Sequence, residues 1–303
     1  MTAIAVIGLG NMGHHMAVNL INAGHEVYGY DLVPELCENA AAKGVRITES
    51  AATATAASDV VISMLQSGEQ VLGLYGGDDG VIAAGRPGTA FFDCSTISVD
   101  DARAAHGLAQ EAGFLSVDAP VSGGVMGAEA GTLTFMVGGT SEAFEASRPY
   151  FEIMGKRVVH CGDPGAGQTA KICNNLILAV SMIAVAEGFV LGEKLGLTHE
   201  ALFDVAANAS GQCWALTTNC PVPGPVPTSP ANRDYQAGFA SALMLKDLLL
   251  SQAAAELSNT DTELGAHATQ IYQRLVENHD PHKDFSDIIN DVRERSAAKE
   301  GSA

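Results

Sequence analysis

The hydrophobic positions of this 303-residue chain follow two regimes. Up to about residue 162, apolar runs of strand length alternate with stretches of helical spacing. TAIAVIG (2–8), EVYGYD (26–31), DVVISML (59–65), TAFFDCS (89–95), FLSVDAP (114–120) and TLTFMVGG (132–139) read as strands, and RVVHCG (157–162) closes the series. Between them, 11–24, 34–43, 99–112 and 141–154 have helical spacing, with Gly24 placed to cap one helix and Pro34 to start the next. Strands alternating with helices predict a doubly wound, mostly parallel sheet over residues 1–163.

From Ala166 onward only the helical period remains, over about 166–195, 199–208, 240–258, 262–278 and 284–296. This predicts an all-α domain over 164–296. The stretch 221–230, PVPGPVPTSP, holds five of the eleven prolines and can be neither helix interior nor central strand. It reads as an extended loop, equally compatible with a connector and with a functional segment. The tail 297–303 reads as frayed. Residues 172–191, ICNNLILAVSMIAVAEGFVL, are apolar almost all round, so this helix must be buried between domains or between subunits. A homodimer or homotetramer is expected. The polar interruptions argue against a membrane span here or elsewhere.

Composition narrows the function. Hydrophobic residues make up 47% of the chain, enough for a sizeable core, and the net charge is −19. That balance, without clustered Lys and Arg, argues against nucleic acid and against an anionic membrane surface. A small anionic ligand stays compatible with it, because a few local donors suffice. The six cysteines form no CxxC pair and the histidines are dispersed, so no metal site is expected. The N-terminus enters a strand at once, which points to a cytoplasmic protein, or to one whose organellar transit peptide has been removed.

Gly8, Gly10 and Gly13 spell GxGxxG between a strand and a helix. Gly8 permits a tight turn, Gly10 lets backbone approach a pyrophosphate, and Gly13 allows close helix–strand packing. Leu9, Asn11 and Met12 complete the turn, whose free N–H groups would face the phosphates. Asp31 ends the second strand, eighteen residues past Gly13. A carboxylate there binds both ribose hydroxyls and repels a 2′-phosphate, and no arginine follows closely, so NAD is expected over NADP. The fold class is therefore a Rossmann-type doubly wound sheet followed by an all-α domain. LQSGEQ (65–70) and Ser95-Thr96 lie at carboxyl ends of strands, where they either line the cofactor or cap the strands.

Two further segments carry candidate chemistry. Ser122, Gly123 and Gly124 offer a hydroxyl and consecutive backbone N–H groups, either an anion-binding nest for a carboxylate or a glycine turn. In GAGQTAKICNN, Lys171 and Asn175 are i,i+4 and share one helix face, with Gln168 on the same side. A partly desolvated lysine would have a pKa lowered toward neutrality, suited to taking a proton from a substrate hydroxyl. The pattern by itself also fits a lysine snorkelling past an apolar face.

GLGNMGHHMAVNL, DAPVSGGVMGAEAGTLTFMVGG and GQTAKICNN together resemble the β-hydroxyacid dehydrogenase family, over almost the whole chain. The resemblance implies Lys171 as the catalytic residue and Asn175 beside it, with Ser122, Gly123 and Gly124 on the substrate carboxylate. It implies Thr96, Leu65 and the neighbouring Gln66 and Gln70 as NAD contacts. GFASALMLKD (238–247) resembles the segment that brings a phenylalanine and a lysine to the nicotinamide, here Phe239 and Lys246. Trp214, in SGQCWALTTNCPVPG, would wall the substrate pocket. That run and 229–248 point within the family to NAD-dependent oxidation of 3-hydroxyisobutyrate to methylmalonate semialdehyde, a step of valine breakdown. The alternatives are a sister reductase of tartronate or succinic semialdehyde and a non-catalytic NAD-binding protein. Gln66 stands where the family usually has proline, and Gln70 and Arg233 where it has asparagine.

Overall fold

The computed structural model describes residues 1–300. The chain divides into two compact units between Lys171 and Ile172. The sequence placed the division at 163/164. The difference is the first turn of a long helix, whose backbone and side chains bond to the sheet of the first unit.

The first unit is built on nine strands: β1 Ala3–Ile7, β2 Glu26–Tyr30, β3 Arg46–Ile47, β4 Val60–Ser63, β5 Ala90–Asp93, β6 Leu115–Asp118, β7 Val121–Ser122, β8 Leu133–Gly138 and β9 Gly155–Gly162. Their helices are α1 Gly13–Asn22, α2 Pro34–Ala41, α3 Ala51–Ala56, α4 Gly68–Tyr75, α5 Val81–Ala84, α6 Val99–Glu111, α7 Gly124–Glu129 and α8 Ser141–Met154. The sheet order is β3-β2-β1-β4-β5-β6-β8-β7, with β9 also on β8. Pairing is parallel from β3 across to β6, antiparallel at β6–β8 and β7–β8, and parallel again at β8–β9. Apolar side chains cover both faces. Ile4, Val6, Ile62, Phe92 and Phe135 pack on one side, and Ala5, Ile7, Val61 and Phe91 on the other. This two-sided burial is why the strands read as continuous apolar runs.

The strand-like runs seen in the sequence are all present. Additional short elements are β3, β7, α3, α4, α5 and α7, each of two to eight residues, which are too short to show a period. The TLTFMVGG strand is antiparallel to the central block: the chain returns through β7 and α7, and β7 pairs antiparallel with β8 as well.

The second unit is helical. It holds most of α9 Ala166–Lys194, then α10 His199–Ala207, α11 Trp214–Thr217, α12 Ser241–Leu257, α13 Glu263–Asn278 and α14 Ile288–Glu300, with 3-10 turns at Pro230–Arg233 and Phe285–Asp287. Its core joins Ala179, Met182, Ile183, Ala186 and Phe189 of α9 to Met244, Leu248, Tyr272, Phe285 and Ile289. α9 is long and apolar enough to cross a membrane by length and composition alone, its lysine and asparagines lying near one end. It is instead the core helix of this unit.

The proline-rich loop fills space as well as connecting helices. Val222 and Val226 are buried in the same core, Tyr235 Oη donates to the Pro221 carbonyl at 3.0 Å, and Ser229 Oγ to that of Cys220 at 2.5 Å. At the C-terminus, 297–300 continue α14, and the rest of the expected frayed tail lies outside the described residues.

Candidate functional site

The sheet order reverses between β1 and β4, and ligands bind such folds in the crevice outside those carboxyl ends. Gly8 leaves β1 with φ +93°, a conformation that favours glycine. A Cβ on Gly13 would collide with the Gly8 carbonyl, so Gly13 is what lets α1 start against the strand. A Cβ on Gly10 would meet no atom within 4 Å. No side chain caps α1. The turn thus presents open space in front of a helix start with no side-chain cap, where His14 N bonds back to the Gly10 carbonyl at 3.0 Å, a place suited to a pyrophosphate. Leu9 and Met12 are buried and half-buried, and Asn11 is exposed. Asp31 is held by two backbone donors, Leu9 N at 2.7 Å and Val33 N at 2.9 Å. Each oxygen keeps lone-pair capacity for a ribose hydroxyl.

Beyond β4, Leu65 N donates to Ser95 Oγ at 2.8 Å. Gln70 Oε1 accepts from Gln66 N at 3.0 Å, so the two glutamines that depart from the family pattern close their own loop. Ser95 is buried and Thr96 half-buried after β5. Ser95 Oγ in turn donates to Asp93 Oδ1 at 2.6 Å, which also receives Ser63 Oγ at 2.7 Å.

Lys171 is 6% exposed, buried rather than snorkelling. Its Nζ donates to the Val121 carbonyl at 2.9 Å. Val121 immediately precedes Ser122, Gly123 and Gly124, and the two glycines have φ +134° and +63°. The fold therefore brings the lysine to the base of the Ser-Gly-Gly turn, fifty residues away in the chain. Asp118, in the adjacent β6, receives Gly165 N at 2.7 Å and Gln168 N at 2.9 Å. Burial pushes the Asp118 carboxyl up to about 6 against those two N–H groups, and the neighbouring Asp93 adds to the rise.

In the helical unit Asn175 is 1% exposed. Its Nδ2 donates to Asp247 Oδ2 at 2.5 Å, and its Oδ1 accepts from Asn174 at 2.9 Å. Lys246, next to Asp247, is half-buried on α12. Phe239 packs edge-on to Phe285 at 5.8 Å. Its segment is fixed by Asp284, which accepts from Gly238 N, Phe239 N, Asn219 Nδ2 and Ser286 Oγ at 2.7–3.1 Å. Trp214 opens α11 and is 52% exposed. Asp118, Asp247 and Asp284 escaped the sequence reading as functional residues. The signal was present for the first two, since both lie inside the quoted motifs.

A family model described as the NAD binding domain of 6-phosphogluconate dehydrogenase matches residues 3–162. Another, described as the NAD-binding region of NADP-dependent 3-hydroxyisobutyrate dehydrogenase, matches 165–292. A solved structure of Mycobacterium tuberculosis 3-hydroxyisobutyrate dehydrogenase with L-serine is 53% identical, with 97% of this chain and 99% of that one covered and a TM-score of 0.92. The chain belongs to the 3-hydroxyisobutyrate dehydrogenase family. Among curated members, the Pseudomonas aeruginosa 3-hydroxyisobutyrate dehydrogenase is 45% identical, covering 95% of this chain and 97% of that one. The NAD-dependent L-serine dehydrogenase of the same organism is 47% identical, covering 94% and 96%. Family membership makes this protein an NAD-binding dehydrogenase, and the crevice at Gly8–Gly13 with Asp31 fits that cofactor.

Proposed function

We propose that this family member oxidises 3-hydroxyisobutyrate to methylmalonate semialdehyde with NAD, as a step of valine breakdown, and that Lys171 is its general base. The observation that carries this reading is the buried Lys171 amine on the Val121 carbonyl, at the base of the Ser122–Gly124 turn. Bound NAD supplies a nicotinamide that accepts a hydride. The backbone N–H groups of Gly123 and Gly124 and the Ser122 hydroxyl hold the substrate carboxylate. Asn175, fixed by Asp247, holds the reacting hydroxyl. Lys171 Nζ takes the hydroxyl proton as the carbinol carbon is oxidised. Thr96, Leu65, Gln66, Gln70, Phe239 and Lys246 are assigned to the cofactor, and Trp214 to the substrate.

L-Serine is the second reading, favoured by the L-serine dehydrogenase relative. It shares the β-hydroxy acid core and differs in carrying an ammonium in place of a methyl. The test is NADH formation with each enantiomer of 3-hydroxyisobutyrate beside L-serine, glycerate and 4-hydroxybutyrate. A higher kcat/KM for 3-hydroxyisobutyrate supports the first reading, and a higher value for L-serine replaces it with the second. Lys171→Ala should abolish turnover with NAD affinity nearly intact. We further assign this chain to a homodimer or homotetramer, because Ile177, Leu191, Leu249, Leu257 and Leu264 of the helical unit are 52–74% exposed. A monomeric mass by light scattering rejects that assignment.

A further inference from the structure

The start of α9 is secured in an unusual way. A helix leaves its first four N–H groups without intrahelical partners. Here two N–H groups at that end, Gly165 N and Gln168 N, go to one carboxylate that comes from a strand, Asp118, each oxygen taking one. The Gln168 side chain then completes the attachment. Its Nε2 donates to the Ser95 carbonyl at 2.8 Å and its Oε1 accepts from Ile97 N at 3.2 Å. The first turn of α9 is thereby bonded to the ends of β5 and β6. Through Ser95 Oγ it is also linked to Leu65 N, at the end of β4.

Two glycines make the approach possible. A Cβ on Gly167 would meet the Asp118 carbonyl at 2.6 Å and Asp118 Oδ2 at 2.8 Å. A Cβ on Gly138 would collide with Asp118 Oδ1 and lie 2.7 Å from Gly167 N. The helix thus stands against the strand ends with only the Asp118 carboxylate and the Gln168 amide bridging them.

Lys171 lies one turn after Gln168. Its amine reaches back to Val121, three residues after Asp118. Asp118 therefore ties together the backbone that carries the lysine and the chain segment that receives its amine. Displacements on the order of 1 Å in such a constellation cost up to ~100-fold in rate.

We propose that Asp118 is a positioning residue for the dehydrogenation: by holding Gly165 N and Gln168 N it sets the first turn of α9 so that Lys171 Nζ stands over the Ser122–Gly124 turn. This rests on the reading of Lys171 as the base. Asp118 is buried and each of its oxygens is already taken by a backbone N–H of the protein, so its loss should act through kcat rather than through binding.

The test is steady-state kinetics and NAD binding by fluorescence on the full chain, for Asp118→Asn, Gly167→Ala and Lys171→Ala. Asp118→Asn keeps the volume but turns an NH2 group toward one of the two backbone N–H donors. The expected result is a fall in kcat of about tenfold or more, with NAD Kd and substrate KM changed less than about threefold. Gly167→Ala favours the helix locally while pushing it off the strand, and should lower kcat in the same selective way. It decides alone if Asp118→Asn does not fold. A purely structural role would lower Tm and leave kcat per folded molecule at the wild-type value. That result in the folded variants, with Lys171→Ala inactive, overturns the inference by itself. Wild-type turnover in Lys171→Ala overturns the reading of the lysine and this inference together.

Discussion

Two helix starts in the α/β unit are used in opposite ways. α1 begins without a side-chain cap, and the space over Gly10 is open. α9 begins on the Asp118 carboxylate, with Gln168 bonded on both sides of its amide. The same backbone chemistry, N–H groups at a helix end, faces open space in the first case, with only His14 N on the Gly10 carbonyl, and is bonded to a strand carboxylate in the second; in the reading proposed above the open end is the one that takes NAD. A helix that must receive an anion has to leave those donors free. A helix that must hold a reacting side chain in register gains from having them fixed.

Replacing Gly13 by Ala should have the largest effect. Its Cβ collides with the Gly8 carbonyl, so α1 can no longer start where it does. A loss of about 1–3 kcal/mol in stability and loss of NAD binding are expected, read by denaturant unfolding and NADH fluorescence. Gly10→Ala sharpens the comparison. The new Cβ meets no protein atom, so Tm should stay at the wild-type value while NAD Kd rises about tenfold, an effect on the ligand's space alone. An unchanged Kd would mean that the open space at α1 is not where the pyrophosphate lies.

Asp31→Asn removes the charge that repels a 2′-phosphate. The ratio of kcat/KM for NAD over NADP should fall by about tenfold, an amount equivalent to ~1.4 kcal/mol. A ratio that does not move would detach cofactor choice from this residue.

The smallest effect concerns pH. The folded Asp118 carboxyl lies at about 6, above its unfolded value, so between roughly pH 4 and 6 the folded state binds more protons than the unfolded one. Stability from this group is present at the acid end and is lost as pH rises through about 6. Tyr75 on α4, Asp93 on β5, His106 on α6 and Cys161 on β9 are titratable groups around it. Subtracting the Tm profile of Asp118→Asn from that of the wild type should leave a difference that declines across this window. A flat difference would contradict the assignment.

Much of this arrangement was legible from local pattern. Gly8, Gly10 and Gly13 and the later Asp31 are recognisable because a tight turn, a close phosphate approach and a strand-end acid have fixed spacings. The pairing of Lys171 with Asn175 on one helix face follows from the helical period. Asp118 lay within a motif that was read for its glycines and serine. Its partners Gly165 and Gln168 are 47 and 50 residues away, and no local period announces such a bond. Asp284 organises the Phe239 segment from 45 residues away, for the same reason. The two family matches, 3–162 and 165–292, meet where the periodicity changes, while the compact units divide within α9, because its first turn is bonded to the sheet.

The sequence by itself determined the order of strands and helices, the nucleotide turn and the register of Lys171 on its helix. Each of these depends on continuous apolar runs of strand length, on the 3.6-residue helical period or on turn chemistry within a few positions. Only the tertiary structure decided which carbonyl receives the Lys171 amine, which carboxylate holds the start of its helix, and which helix end stays open. Those outcomes depend on which buried polar groups meet across the sheet. A buried donor without a partner costs more than a typical hydrogen bond contributes, so that matching is enforced once the chain has packed.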